Sequence, residues 1–255
     1  MFEAAILGIV QGLTEFLPVS STAHLILFPW FFGWKGDVET LTFDVALHAG
    51  TLIALLSCFW KDWIGLFTRD RKLFGLILLA TMPAAIAGFF FNDIVEESLR
   101  KPFLISVMLI AVGFIMLIAE KAKKYKAMGK TSLLDALIIG MAQTISLVPG
   151  VSRSGITISA GLFRGLKREE SARFSFLLST PIIAGAILLH LKRLFIFRQD
   201  YDLQLFGVGL LTSFITGFIA IKFLLNFLRK YPLNIFVYYR FILAVVIIGG
   251  IWWKG

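Results

Sequence analysis

Six apolar runs of near-spanning length constrain this chain more than any other feature. They lie at roughly Leu41–Trp60, Leu73–Phe91, Pro102–Ala119, Phe174–Leu191, Leu203–Leu225 and Asn234–Trp253. About twenty helical residues cross a bilayer core, so each run is long enough. In hydrocarbon every backbone N–H and C=O must be satisfied within the protein, and a continuous apolar run meets that demand as a helix. A hydrophobic share of 58% with 26 phenylalanines in 255 residues agrees. The expectation is an all-α polytopic integral membrane protein.

The formal charge of +9 does not point to nucleic acid. Basic residues collect between the apolar runs, in "KDWIGLFTRDRK", "EKAKKYKAMGK" and "RGLKREESAR", where loop charge sets membrane orientation. No basic and aromatic platform accompanies them, so a nucleic-acid partner is excluded. The single cysteine, Cys58, sits inside an apolar run and supports neither a disulfide framework nor a cysteine metal site. Met1–Phe28 opens with Glu3 in place of a basic region and is interrupted by polar residues, unlike a cleavable signal peptide.

The sequence repeats itself. At an offset of 132 positions, "GIVQGLTEFLPVSSTAH" aligns without gaps to "GMAQTISLVPGVSRSGI". Gly8 meets Gly140, Gln11 meets Gln143 and Ser20 meets Ser152. Fainter matches follow in order at nearly the same offset, suggesting repeats of about 1–127 and 132–255. Each repeat then holds an interrupted polar segment followed by three spans. Three is odd, so the second repeat must enter the membrane inverted, an arrangement that places a binding site near the midplane. If loops near 61–72, 121–131, 164–173 and 222–232 are cytoplasmic, they hold 16 of the 25 Lys and Arg residues. The opposite side holds 7: Lys35, Arg100, Lys101, Lys192, Arg193, Arg198 and Lys254. This bias turns the N-terminus and the first polar segment outward.

The polar segments carry the chemistry. Gln11 and Glu15 are one helical turn apart on one face. Pro18 lacks an N–H and disfavours helix at Leu17, while Ser20, Ser21 and Thr22 suit the N-cap of a new helix. Helix, break, helix in so short a stretch predicts a re-entrant hairpin. "LVPGVSRSG" repeats the design, with a stop at Pro149-Gly150 and Ser152 or Ser154 as cap. Two helix N-termini meeting at membrane depth make an anion site, to which Arg153 adds a planar charged fork suited to phosphate oxygens.

An intramembrane charge is costly and by default functional. Glu15 and Arg153 could offset one another as a plain buried pair. That reading leaves the hydrogen-bonding capacity of Ser20, Ser21, Thr22, His24, Ser152, Ser154 and Thr157 without a purpose. Read as phosphoryl chemistry, Arg153 and the helix ends form a clamp. Ser21 and His24, three apart, share a helix face on which His24 can activate the hydroxyl or pass a proton to a leaving group. Glu15, beside Gln11, can hold a hard divalent cation or act as base on water; spacing alone does not choose. His48, four residues after Asp44, could pair with it near the site but is read first as a helix-interface histidine, and His190 as interfacial. Trp30, Trp34, Trp60, Trp63, Trp252 and Trp253 fit membrane-surface belts, and "RGLKREESAR" is read as a solvated loop.

The stretches "QGLTEFLPVSSTAH" and "PGVSRSGITIS" resemble the two signature regions of the undecaprenyl-pyrophosphate phosphatase, or bacitracin-resistance, family, and the likeness extends over nearly the whole chain. The resemblance implies hydrolysis of undecaprenyl diphosphate to undecaprenyl phosphate and inorganic phosphate. It implies a bacterial plasma-membrane enzyme of two inverted repeats, six spans and paired re-entrant helices, opening to the outer side and recycling the lipid carrier of cell-wall synthesis. Position by position, the glutamate-rich motif falls on Gln11 and Glu15, its serine and histidine on Ser21 and His24, and the serine-arginine motif on Ser152, Arg153 and Thr157. Gln11 stands where other members carry glutamate or glutamine, leaving one carboxylate. The family's divalent cation, Mg2+ or Ca2+, is implied with Glu15 as its ligand. The sequence leaves a homodimer open. The rival reading is a lipid-phosphate transporter, which shares the inverted-repeat architecture but needs no nucleophile with a proton handler.

Overall fold

The structure, a computed structural model, describes residues 1–197 and 202–254, and their side chains except at 92–98, 191–197 and 254. Of the charges expected on the outer side, Arg198 lies outside the described residues, as do the side chains of Lys192, Arg193 and Lys254.

The helices are α1 (Phe2–Phe16), α2 (Ser21–Phe32), α3 (Leu41–Cys58), α4 (Trp60–Thr68), α5 (Arg71–Ser98), α6 (Pro102–Glu120), α7 (Leu133–Ile145), α8 (Arg153–Phe163), α9 (Arg168–Phe197), α10 (Leu203–Lys230) and α11 (Asn234–Lys254). Short 3-10 turns lie at Asp37–Glu39 and Met128–Lys130. Among the described residues there is no strand, only one bridge between Lys126 and Leu166. Six helices, α3, α5, α6, α9, α10 and α11, are long and apolar enough to cross a membrane. Five of the six expected runs fall within them; the first, Leu41–Trp60, overruns α3, which stops at Cys58, and its Trp60 begins α4. The protein is an all-helical, multi-pass membrane protein.

Helices pack in a crossed pattern. α1 lies along α10 and α7 along α5, while α3 contacts both α9 and α10, and α6 pairs with α11. Small residues set the closest approach. A Cβ on Gly12 would meet Thr216 Oγ1 at 1.9 Å and the Gly217 amide at 2.7 Å, and one on Gly140 would meet the Ala80 carbonyl at 2.3 Å. Without a hydrophobic drive between helices in lipid, such backbone approach is a main source of association. Phe16 and Phe176 pack edge to face at 5.5 Å in the largest core cluster. Outward-facing Phe89, Phe90, Phe114 and Ile118 are exposed, as lipid-facing positions are.

Four basic loops gather on one face. Arg173 pairs with Asp62, Arg168 with Glu120 at 2.6 Å and Arg229 with Glu169 at 2.6 Å. The Leu233 amide donates to Glu120 and the Met128 amide to Glu170. Two expectations are corrected here. "RGLKREESAR" is not a solvated loop: its second half begins α9, Ser171 is buried, and its arginines are tied to neighbouring elements. "KDWIGLFTRDRK" is largely α4, a short helix begun by the preceding Trp60; Trp60, Ile64 and Phe67 recur at three- and four-residue spacing on an exposed apolar side.

Candidate active site

Two breaks in the helical order bring the polar residues together. α1 stops at Phe16 because Leu17, preceding Pro18, is extended at φ −66°, ψ 141°. α2 then starts from Ser20, whose hydroxyl accepts from the Ala23 amide. At the second break α7 ends at Ile145, earlier than the Pro149-Gly150 stop expected from sequence. The amides of Ser146, Leu147 and Val148 donate three residues back, tightening the chain into 3-10 turns before the proline. Ser152 caps α8 by accepting from the Gly155 amide.

Ser20 and Ser152 share a further property. They are the two non-glycine residues with positive φ among the described residues, at 77° and 70°. Such backbone costs on the order of 1–3 kcal/mol and persists where surroundings impose it, often at functional sites. In each, the cap hydroxyl takes the amide three residues on, and the two amides between have no intrahelical acceptor.

Glu15 lies at the centre. Its Oε1 accepts from Arg153 NH2 at 2.5 Å. Its Oε2 accepts from Ser21 Oγ at 2.6 Å and from Gln11 Nε2 at 3.1 Å. His48 brings Nε2 within 3.6 Å of that same oxygen, while its Nδ1 donates to the Asp44 carbonyl at 2.7 Å. His48, read from sequence as an interface residue, therefore borders the site. Two buried atoms here have no partner: Gln11 Oε1 and Arg153 Nε. An orphaned acceptor beside a carboxylate suits a cation, and an orphaned guanidinium N–H suits an anion; a buried polar atom is otherwise costly to leave unpaired.

The remaining residues are placed as follows. Ser154 Oγ donates to the Leu17 carbonyl at 3.1 Å, joining the two breaks directly. Thr157 donates to the Arg153 carbonyl at 2.8 Å and shares a 2.6 Å bond with Ser175, so it faces α9 and not Glu15. Thr22 is half-buried on the first turn of α2. The expected Ser21–His24 pair is not made. His24 is buried, with Nδ1 2.7 Å from the Ser20 carbonyl and Nε2 2.7 Å from the Tyr239 hydroxyl. A carbonyl can only accept, so Nδ1 carries the proton and Nε2 accepts from Tyr239. A residue one turn along a helix points to the same side, but the Ser20 carbonyl captures the ring first.

Arg240 was passed over in the sequence and is fully buried. Its signal was available: a lone arginine inside the run Asn234–Trp253 is an intramembrane charge in its own right. His190 on α9 meets Thr42 at 3.0 Å near the start of α3.

The donor set also tests the implied cation. Among the described residues no three His, Cys, Asp or Glu side chains converge, so no protein-built cage exists. Glu15 with Gln11 Oε1 supplies two oxygens, which fits a magnesium-like ion that draws its other ligands from substrate phosphate and water.

A protein-family model described as "Bacitracin resistance protein BacA" matches residues 4–246. The chain belongs to this family. A protein of Thermodesulfovibrio yellowstonii named "Undecaprenyl-diphosphatase" is 59% identical over 247 residues, covering 97% of this chain and 96% of that protein. Proteins of the same name from Caldicellulosiruptor bescii and Moorella thermoacetica are 47% and 45% identical, covering 97% and 99% of this chain and 96% and 98% of theirs. Within the BacA family, then, this chain matches these relatives over nearly their whole length.

Proposed function

We propose that the chain hydrolyses undecaprenyl diphosphate to undecaprenyl phosphate and inorganic phosphate, recycling the lipid carrier of cell-wall synthesis and conferring bacitracin resistance. The observation that carries the chemistry is the double engagement of Glu15, by Arg153 from the second break and by Ser21 from the first.

Arg153 and the open amides of α2 and α8 hold the terminal phosphoryl group, with Arg153 Nε as an uncommitted donor. Glu15, not His24, is the base for Ser21. Ser21 Oγ attacks the terminal phosphorus as its proton passes to Glu15, and the bond to the bridging oxygen breaks to release undecaprenyl phosphate. Glu15 passes that proton to the departing undecaprenyl phosphate. Water then attacks the phosphoserine, giving its proton to the freed carboxylate, which returns it to Ser21 Oγ as the Oγ–P bond breaks and inorganic phosphate leaves. Glu15 and Gln11 would hold a divalent cation, Mg2+ or Ca2+, which neutralises phosphate charge when bound. The transporter alternative is not favoured: a carrier has no use for a serine hydroxyl donating to a carboxylate at 2.6 Å.

The fold reading that goes with this is a pair of inverted repeats, about 1–127 and 132–255, each a re-entrant hairpin and three spans. Its support is the exchange between halves: α1 packs on α10 as α7 packs on α5, and α3 meets α9 while α6 meets α11. Ser20 and Ser152, equivalent at the repeat offset, share one unusual conformation. In this reading the α7–α8 hairpin opens on the basic, cytoplasmic face, where Asp135 meets Lys126 and Arg164. The α1–α2 hairpin and the site open outward.

The experiment is acid quench of enzyme mixed with substrate labelled in its terminal phosphate. Label on a Ser21 peptide supports the two-step route, and turnover with no label under single-turnover sampling moves the attack to water.

A further inference from the structure

Arg240 has an unusual set of partners. Its Nε donates to the Leu109 carbonyl at 3.1 Å and NH1 to the Pro18 carbonyl at 3.3 Å. NH2 is shared among the carbonyls of Met108, Gly150 and Val151 at 3.2, 2.9 and 3.2 Å. Among the described residues no carboxylate pairs with it. A guanidinium held at membrane depth by backbone oxygens alone spends its whole donor fork on fixing chain positions.

Those positions are informative. Pro18 and Gly150 are equivalent at the repeat offset, so one side chain holds the same carbonyl of both breaks. Ser21 lies three residues beyond the first carbonyl, and Arg153 three residues beyond the second. The preceding residue, Tyr239, holds the first break from another side: its hydroxyl donates to His24, whose Nδ1 donates to the strained Ser20. In the first repeat the corresponding residues at an offset of 133 are Ser106 and Val107, which offer no such fork. The fixture exists once, and once suffices because it touches both halves.

We propose that Tyr239 and Arg240 on α11 are positioning residues that register the two breaks, setting Arg153 and Ser21 around Glu15 for attack. Neither touches substrate. Their effect passes through the backbone of residues 18–20 and 150–151, and it falls on the chemical step, because misplacement near 1 Å of reacting groups costs about 100-fold in rate. This rests on the phosphatase reading above.

The test uses the full-length protein in detergent, with undecaprenyl diphosphate as substrate, measuring kcat, KM and melting temperature. Arg240→Lys keeps the charge but lacks the fork. Its kcat should fall about 100-fold while KM stays within about threefold. In the double variant with Arg153→Lys the loss should be much less than the product of the single losses, since both act on one geometry. A kcat within about twofold of wild type, a loss confined to KM, or fully multiplicative losses would overturn the proposal. Should Arg240→Lys not fold, Tyr239→Phe decides: about tenfold lower kcat at an unchanged melting temperature supports it, and an unchanged kcat overturns it. Absence of turnover in the folded wild type would instead sink the phosphatase reading.

Discussion

Arg153 NH2 lies 2.5 Å from Glu15 Oε1, joining residues 138 positions apart and the two breaks of the fold in one ion pair. The pair is pre-formed but not closed, because Arg153 Nε and Gln11 Oε1 still lack partners. In the proposed reading, a diphosphate would meet a guanidinium already aimed and a carboxylate already in contact with a hydroxyl.

Replacing Arg153 with lysine should therefore cost more than charge counting suggests. A lysine keeps the charge but loses the fork that serves Glu15 and the Ser179 carbonyl and leaves Nε for the proposed phosphate. The expected result is a kcat lower by about 100-fold, as for removal of one preorganised donor. Steady-state phosphate release reads it.

The strained caps give a second prediction. Ser152→Ala removes the acceptor of the Gly155 amide and keeps the positive φ, so it should destabilise by about 1–2 kcal/mol. Ser152→Gly loses the same bond but relieves the backbone, and should melt above the alanine variant. An alanine variant at least as stable as the glycine variant would contradict a strained cap.

Gly12 tests how helix packing reaches the site. Its added Cβ would strike the backbone of Ser213 and Gly217 at 2.7 Å each, which cannot move aside as a flexible side chain can. Gly12→Ala should push α1 off α10 and carry Glu15 with it. Both melting temperature and kcat should fall, whereas Gly249→Ala, with open space around it, should leave the melting temperature unchanged.

Asp135 offers a pH signature outside the site. Burial opposes its ionisation, but Lys126, the Ser132 amide and hydroxyl, and Arg164 outweigh it, so its carboxyl is held well below the usual range. A lowered folded-state value means the stabilisation is fully present above the ordinary aspartate value of 3.8 and is lost as pH falls below it. Asp135→Asn should cost about 3 kcal/mol at neutral pH, and the gap to wild type should narrow only in acid. A constant gap across that range would contradict the assignment.

Much of this was legible in the sequence because membranes simplify the code. The six spans follow from run length alone, and the first break follows from Pro18. The cluster around Glu15 was legible too, since Gln11, Ser21 and Arg153, which touch it, are polar where polarity is costly. What sequence spacing could not supply was direction. His24 shares a face with Ser21, yet the ring turns to the Ser20 carbonyl four residues back, as the His48 ring turns to the Asp44 carbonyl. His48 reaches Glu15 only because α3 packs beside α1. The second break begins early because 3-10 turns precede Pro149, and the basic segment 164–173 is ordered by partners from distant loops.

The central claim is that Glu15, Ser21 and Arg153 form one phosphoryl-transfer site. Its most direct test is release of inorganic phosphate from undecaprenyl diphosphate by the detergent-purified protein, beside Ser21→Ala, Glu15→Gln and Arg153→Ala at matched melting temperatures. The account predicts robust release by the wild type and losses of about 100-fold or more in each variant. No release by a folded wild type, or wild-type rates in any of the three, would contradict it.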